Sequence, residues 1–457
     1  MTRPLPEGSL TTLPWGPAGA LPLALPSHGP LAQGRVEGVW PDLSAPISDY
    51  PSALNQAMTA PLGMGPLESL TRSGSRVAII VDDPSRWTPV QEALEILLPR
   101  LHKAGVRPED LTIVMGVGRH HAVDQAGMNR RLGPEIAASY PCLSPPIDDL
   151  SAYADLGLTP QGIPVRVFRP VVDADLRILV GSVLPHLQAG FGGGYKLIFP
   201  GASHRSTLSA LHGQGLEPGS DAERLLGSRA DSNPMRQAIH VAAARLGPCV
   251  SISHLLGGPG EILRVATGHP EVVQDSLSLE AASRFQAPSA PPADMIVVGN
   301  HPWPGDPLQS FKVLLHHRVA CRPGGILVGL FWTDPLELDR SAPMGAIKAI
   351  AATGAAGGWA IRRLLPMAER LAQATGSPAA FMVRWARELV VDREVLVLAP
   401  PLFERLGPRL GPVRLFADQQ SLWSKATRRL ESRANQGPIH VRIFPQGGLT
   451  YAPKETK

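Results

Sequence analysis

The sequence predicts an α/β protein built from two α/β domains, and three observations carry that expectation. From Arg76 onward, strand, loop and helix signals alternate along the chain. The alternation begins again at Asp294, after a proline-bearing stretch, SRFQAPSAPPAD, that reads as a linker. The length, 457 residues, exceeds what one ordinary core encloses. The expected division is an N-terminal arm over 1–70 packing on the core, a first domain over 71–285 and a second over 286–457.

Residues 1–70 are rich in Pro, Gly and Leu and read as an extended arm with few regular elements. RVAIIVD (76–82) is a buried-strand run, and the loop DPSRWTP leads from it into the helical stretch VQEALEILLPRLHKAG. DLTIVMG (110–116) is the next strand and ends in the loop GRHHAVD. PVRVF (164–168) and DLRILVGSV (175–183) are further strands, with helices around Thr207–Leu211 and Pro234–Leu246. In the second domain DMIVVGN (294–300), GGILVGLF (324–331) and REVLVLAP (393–400) are strands. DPLQSFKVLLHHRVA, Trp359–Thr375 and Ala417–Ala434 are the helices between and after them. The polar residues of interest stand where strands end, which is where α/β proteins place ligands.

The bulk numbers exclude several classes. A net charge of +4, with arginine scattered along the chain, does not indicate a nucleic-acid surface. Cys142, Cys249 and Cys321 form no CxxC pair, so neither a disulfide framework nor a thiolate metal site is expected. Prolines break the N-terminal stretch, and no apolar run is long enough to span a bilayer. A cytoplasmic protein without a membrane partner is the default expectation. Basic residues are nearly all arginine, which draws attention to a lysine kept in a ligand-like context such as Lys196.

Four segments could carry chemistry. In DDPSRWTP, Asp83 and Arg86 follow a buried strand, and a guanidinium fixed there would grip a carboxylate by two parallel hydrogen bonds; a local Asp–Arg loop pair is the plainer reading. In GRHH (118–121), a glycine turn leaves His120 and His121 at the sheet edge, where an imidazole suits proton transfer or is simply exposed. The densest segment, VLPHLQAGFGGGYKLIFPGASH (183–204), holds His186, Gly192, Gly193, Gly194 and Lys196. Its glycine turn could cradle a phosphate, yet it is neither a Walker A loop nor a GxGxxG fingerprint between a first strand and helix. Gln309 and Lys312 open a helix after a strand, and Trp359 follows the glycine-rich TGAAGGW. A ligand anion or an exposed amphipathic face accounts for Lys312 about equally, and Trp359 either lines a pocket or begins an apolar face.

In order and spacing these segments resemble the nickel-pincer-nucleotide lactate racemase family. The resemblance runs from about Arg76 to the C-terminus through Asp83-Pro-Ser-Arg86-Trp-Thr-Pro, Gly118-Arg-His120, Pro185-His186-Leu-Gln-Ala-Gly-Phe-Gly-Gly-Gly-Tyr-Lys196, Pro200-Gly201, Gln309-Ser-Phe-Lys312 and IFPQGGLTYAP. His212 follows Lys196 by 16 residues, as the family pattern has it. PHLQAGFGGGYK is the most specific of these.

The resemblance implies two α/β domains with the active site in the cleft between them. It implies a racemase or epimerase that inverts the carbinol centre of a 2-hydroxy acid by reversible hydride transfer to a nickel-pincer nucleotide. In that reading Lys196 tethers the pyridinium-3-thioamide-5-thiocarboxylic acid mononucleotide, in the turn of Gly192, Gly193 and Gly194, and His212 binds the nickel. His120 and His186 are the acid/base pair, and Asp83, Arg86, Gln309, Lys312 and Trp359 contact or orient substrate. Cofactor-synthesis proteins would be needed for maturation. Arg119, His121, Trp87, Tyr195 and Leu308 depart from the family pattern around the pocket, which puts lactate itself in doubt. Two other readings compete: a non-catalytic α/β protein that binds a nucleotide or hydroxy acid, and a nicotinamide-dependent dehydrogenase, against which the missing dinucleotide fingerprint counts.

Overall fold

The computed structural model describes residues 2–4, 11–16, 19–120, 122–146, 148–217, 220–303, 307–334, 344–375, 380–434 and 437–454. The chain divides into two compact units, one of residues 43–283 and one of residues 1–42 with 284–457.

The 43–283 unit is built on a six-stranded sheet. Its order is Glu261–Gly268, Cys249–Gly258, Leu176–Ser182, Val77–Asp82, Leu111–Gly116 and Cys142–Leu143. Every pairing is parallel except the hairpin formed by the first two. A parallel sheet needs cover on both faces, and VAIIVD supplies it by alternation. Val77, Ile79 and Val81 pack with Leu94, Leu97 and Leu101 of helix Val90–Lys103. Ala78 and Ile80 face the other way, onto Ile198, Phe199 and Ile239. The glycine-rich segment is therefore part of the second cover layer, and its fold is fixed by core packing.

The other unit carries an eight-stranded sheet in the order Thr2–Pro4, Arg35–Val39, His440–Phe444, Ala293–Gly299, Cys321–Leu330, Glu394–Leu398, Val413–Phe416 and Arg409–Leu410. The six inner strands run parallel. Leu13, Leu23 and Leu31 join Met295, Val297, Ile326, Val328 and Trp423 in its core.

The expected arm is thus corrected. Arg35–Val39 lies inside the second sheet beside His440–Phe444, while Tyr50–Thr59 is a helix of the 43–283 unit, capped by Asp49, which accepts from Ser52 N at 3.1 Å. The strand was hidden because Glu37 interrupts its apolar pattern. That carboxylate is buried and takes Arg442 Nε at 2.8 Å. PVRVF is a strand, but it pairs with Tyr153–Leu158 in a separate hairpin. Among the described residues no helix is long and apolar enough to cross a membrane.

A buried polar link ties the sheet together. His254, on strand Cys249–Gly258, donates from Nδ1 to Gly181 O at 2.9 Å, and its Nε2 accepts from Tyr50 Oη at 2.8 Å. Burial, against the pull of the Gly181 carbonyl, holds His254 down to about 4. The unfolded chain then binds a proton near pH 6.5 that the folded chain refuses until about pH 4, so stability falls as pH is lowered through that window. We expect His254 to account for a loss of about 2 kcal/mol between pH 7 and pH 5. Melting temperatures across that range check this: His254→Gln should flatten the slope, and an unchanged slope contradicts the assignment.

Candidate active site

Three parallel strands of the 43–283 unit, Val77–Asp82, Leu111–Gly116 and Leu176–Ser182, deliver the predicted residues at their C-terminal ends. After the first, Asp82 and Asp83 are both buried, and they do different work. Asp82 accepts from Thr88 Oγ1 at 2.6 Å and pairs with Arg131. Arg131 also donates to the carbonyls of Asp82, Arg86 and Thr88 at 3.0, 3.1 and 3.0 Å, so one guanidinium holds the whole 82–88 turn. Burial pushes the Asp82 carboxyl up despite Arg131 and Thr88.

Asp83 receives His120. Its Oδ2 lies 2.8 Å from His120 Nδ1, and Oδ1 accepts from Ser85 N at 2.8 Å. Burial alone would raise the Asp83 carboxyl. The hydrogen bond and charge of His120, the charge of Arg86 and the Ser85 hydroxyl outweigh burial and hold it well below the usual carboxylate range. An ionised Asp83 can only accept, so His120 donates from Nδ1, and whenever the ring is neutral its lone pair stands on Nε2.

His186 has the opposite tautomer. Its Nδ1 accepts from the backbone N–H groups of Gln188 and Ala189 at 3.2 and 3.0 Å, which places the neutral ring's proton on Nε2. The two imidazoles therefore present a lone pair and an N–H respectively.

The glycine turn follows His186 in the chain. Gly193 and Gly194 have φ of +78° and +59°, and a Cβ on Gly193 would stand 2.9 Å from Val183 and 3.0 Å from Ser182 O. Lys196 follows on the short helix Gly194–Leu197, half-buried. Gly201 N donates to Lys196 O at 3.1 Å and Gly201 O accepts from Gly118 N at 2.9 Å, which anchors the His120 loop to the lysine turn. On the other side Gln188 Nε2 donates to His212 O at 2.7 Å, coupling the His186 turn to His212. His212 Nδ1 donates to Leu208 O at 2.8 Å, so its lone pair is on Nε2; such a carbonyl bond is the usual way a metal-binding imidazole is oriented.

Several residues that build the site escaped the sequence reading. Arg236, fully buried, donates to Gly193 O at 3.2 Å and to Phe191 O, and so clamps the turn from beneath. Asn233 Nδ2 donates to Gln188 O at 2.8 Å. The Gln274 Oε1 oxygen is buried without a hydrogen-bond partner and sits 3.1 and 3.2 Å from where Gly193 and Gly194 would carry Cβ atoms. The one available signal was Arg236, a charge on the apolar face of the helix Pro234–Ala243.

In the other unit Lys312 lies on helix Pro307–His317, four residues before the buried His316. Gln309 falls on the same helix, but its side chain lies outside the described residues, as does His121. Trp359 is not brought to Lys312. The helix of Lys312 follows the C-terminal end of strand Ala293–Gly299, whereas Trp359 lines a cavity with Glu394, the first residue of its strand and level with Met295 through Ile326.

Residues 31–223 match the lactate racemase N-terminal domain. The lactate racemase of Thermoanaerobacterium thermosaccharolyticum is 24% identical over 277 residues, covering 60% of this chain and 64% of that protein. The lactate racemase of Lactiplantibacillus plantarum is 28% identical over 160 residues, covering 35% of this chain and 37% of that protein. The chain thus aligns with less than two thirds of the length of either relative. The solved apoprotein of the Thermoanaerobacterium enzyme superposes with a TM-score of 0.77 at 17% identity, over 98% of this chain and all of that one. A Thermotoga maritima protein of known structure does so with a TM-score of 0.60 at 15% identity, over 84% of this chain and 95% of that one. At such identities the superpositions speak for the fold.

Proposed function

We propose that this chain, whose residues 31–223 match the lactate racemase N-terminal domain, is a member of the lactate racemase family and a racemase or epimerase of a 2-hydroxy acid, working with a lysine-tethered nickel-pincer nucleotide. The observation that supports this most strongly is the pairing of His120 with an ionised Asp83, joined through Gly118 and Gly201 to the turn that carries Lys196.

The residues present fit the cofactor. Positive-φ glycines let the turn pack closely against Val183, Ser182 and Gln274, whose amide oxygen is buried without a hydrogen-bond partner beside it, and Lys196 supplies the primary amine a covalent link requires. Among the described residues no cluster of three or more His, Cys, Asp or Glu side chains could hold a metal. Nickel bound through His212 Nε2 would thus draw its other donors from the nucleotide, whose sulfur atoms suit it. When bound, the nucleotide supplies a hydride acceptor, which spares the chain from removing a weakly acidic C–H as a proton.

The chain's own part is proton movement and grip. His120 Nε2 takes the hydroxyl proton of the substrate, and Asp83 stabilises the resulting imidazolium. In this reading His186 donates its Nε2–H to the carbinol oxygen. To serve as a base in its turn, His186 must take the other tautomer and give up the Gln188 and Ala189 amides at Nδ1. Arg86, whose turn Arg131 holds rigid, is proposed to clamp the carboxylate. Gln309 and Lys312 as substrate contacts rest on the resemblance alone. Cofactor-synthesis proteins as maturation partners and a cytoplasmic setting belong to the same reading.

Co-production with cofactor-synthesis proteins, followed by a screen of single-enantiomer 2-hydroxy acids for loss of optical rotation, tests the function. Loss of rotation with at least one acid is expected. No change with any of them, from protein shown to contain nickel, would favour a binding protein.

A further inference from the structure

The unit of residues 1–42 and 284–457 contains a second site that the proposed reaction does not use. Helix Gly354–Ala374, strand Val413–Phe416 and helix Gln419–Ala434 contribute to the lining of a cavity of about 420 Å³. That volume lies in the range of small-molecule pockets. Its wall holds five cations, Arg362, Arg409, Arg414, Lys425 and Arg429, and one carboxylate, Glu394, a surplus of four positive charges. A groove of about 540 Å³ shares Arg414 and Lys425 with it and continues past Arg428. These residues come from separate stretches of chain, so the arginines that are scattered in sequence are gathered by the fold.

Glu394 is overcommitted. Its Oε1 lies 3.4 Å from Arg414 Nε and 3.7 Å from Lys425 Nζ, and its Oε2 lies 3.4 Å from Arg429 Nε. One carboxylate cannot neutralise three cations, and two more line the same space. Arg362 donates from Nη2 to Arg393 O at 3.2 Å, but its Nε is buried without a partner. Burial, together with the charges of Arg414, Arg409 and Arg429 and against Glu394, holds its guanidinium below the ordinary value. Packing like charges costs free energy that a bound multivalent anion returns. Guanidinium forks match phosphate oxygens in pairs. At the rim stands the Trp359 indole, 64% exposed, with Arg363 5.4 Å from its ring centroid. An exposed indole beside a cluster of cations offers a face on which a base can stack.

We propose that this cavity binds a nucleoside di- or triphosphate, its phosphates held by Arg414, Lys425 and Arg429 and its base lying against Trp359. The test is titration calorimetry of the full chain in phosphate-free and sulfate-free buffer, with ADP, pyrophosphate and orthophosphate as probes. ADP should bind, with pyrophosphate roughly tenfold weaker for want of stacking and orthophosphate weaker still. Arg429→Ala, an exposed position whose loss leaves the core intact, should weaken ADP and pyrophosphate alike by roughly tenfold or more. Trp359→Ala should weaken ADP alone, and Glu394→Gln should tighten both. Absence of binding by all three probes overturns the proposal, as does an affinity unchanged by Arg429→Ala. Equal affinities for ADP and pyrophosphate, with no effect of Trp359→Ala, overturn the nucleotide assignment.

Discussion

Lys196→Ala is expected to leave a folded chain with no measurable racemisation and with nickel at background after co-production with cofactor-synthesis proteins. The side chain is half-buried at the close of a single helical turn whose packing comes from Tyr195 and Leu197, so its truncation removes little of the core. What it removes is the primary amine that the tether reading requires. Lys196→Arg sharpens the point. It keeps the charge and most of the length, but a guanidinium does not deprotonate in proteins and offers no amine lone pair. If Lys196 served only as a cation, Arg would restore much of the function; the tether reading expects no restoration. Activity and metal content of the two variants, with melting temperature as the folding control, decide between them.

His120→Ala is expected to lower kcat by roughly 10²–10⁴-fold with KM little changed, because the imidazole moves a proton and does not grip the substrate. Its ring is partly exposed on a loop, and the loss should cost little stability. Asp83→Asn should reduce kcat in the same direction without touching KM, since Asp83 acts through the ring: it fixes Nδ1–H and stabilises the imidazolium. Asp83→Glu keeps a carboxylate and should recover part of the loss. A larger effect of Asp83→Asn on KM than on kcat would mean that Asp83 positions Arg86 for substrate binding and not His120 for proton transfer. Steady-state kinetics with a single enantiomer supply the comparison.

Much of this arrangement was legible in the sequence because the physics is local. VAIIVD alternates between two covered faces, so its burial and direction follow from six letters, and Asp83 and Arg86 must then stand at its end. Glycine before His120 and glycines before Lys196 marked sharp turns that the structure contains. Strand Cys249–Gly258 was not legible. It carries Ser251, Ser253 and His254, all buried, and polar side chains read as loop unless one knows that Tyr50 and the Gly181 carbonyl satisfy the imidazole from distant parts of the chain. Helix Pro270–Phe285 was overlooked for a related reason, because its apolar residues do not gather on one stripe.

The supporting shell of the site was the least visible part. Arg131 is one arginine among many, and only the fold shows that three carbonyls and a carboxylate converge on it. Trp359 depended on the fold in another way. Its neighbourhood in sequence left a pocket lining or an apolar face open, with a substrate contact implied only by the resemblance, and the strand register puts it beside Glu394, at the opposite sheet end from the helix that carries Lys312. The basic cavity could not be anticipated either, since its residues meet only when helix Gln419–Ala434 packs along strand Val413–Phe416.

The most direct measurement is peptide mass mapping of the chain purified after co-production with cofactor-synthesis proteins. The peptide bearing Lys196 should carry the mass of the pyridinium mononucleotide, and no other lysine peptide should. An unmodified Lys196 peptide from protein that racemises a 2-hydroxy acid, or the same increment on a different lysine, contradicts the account.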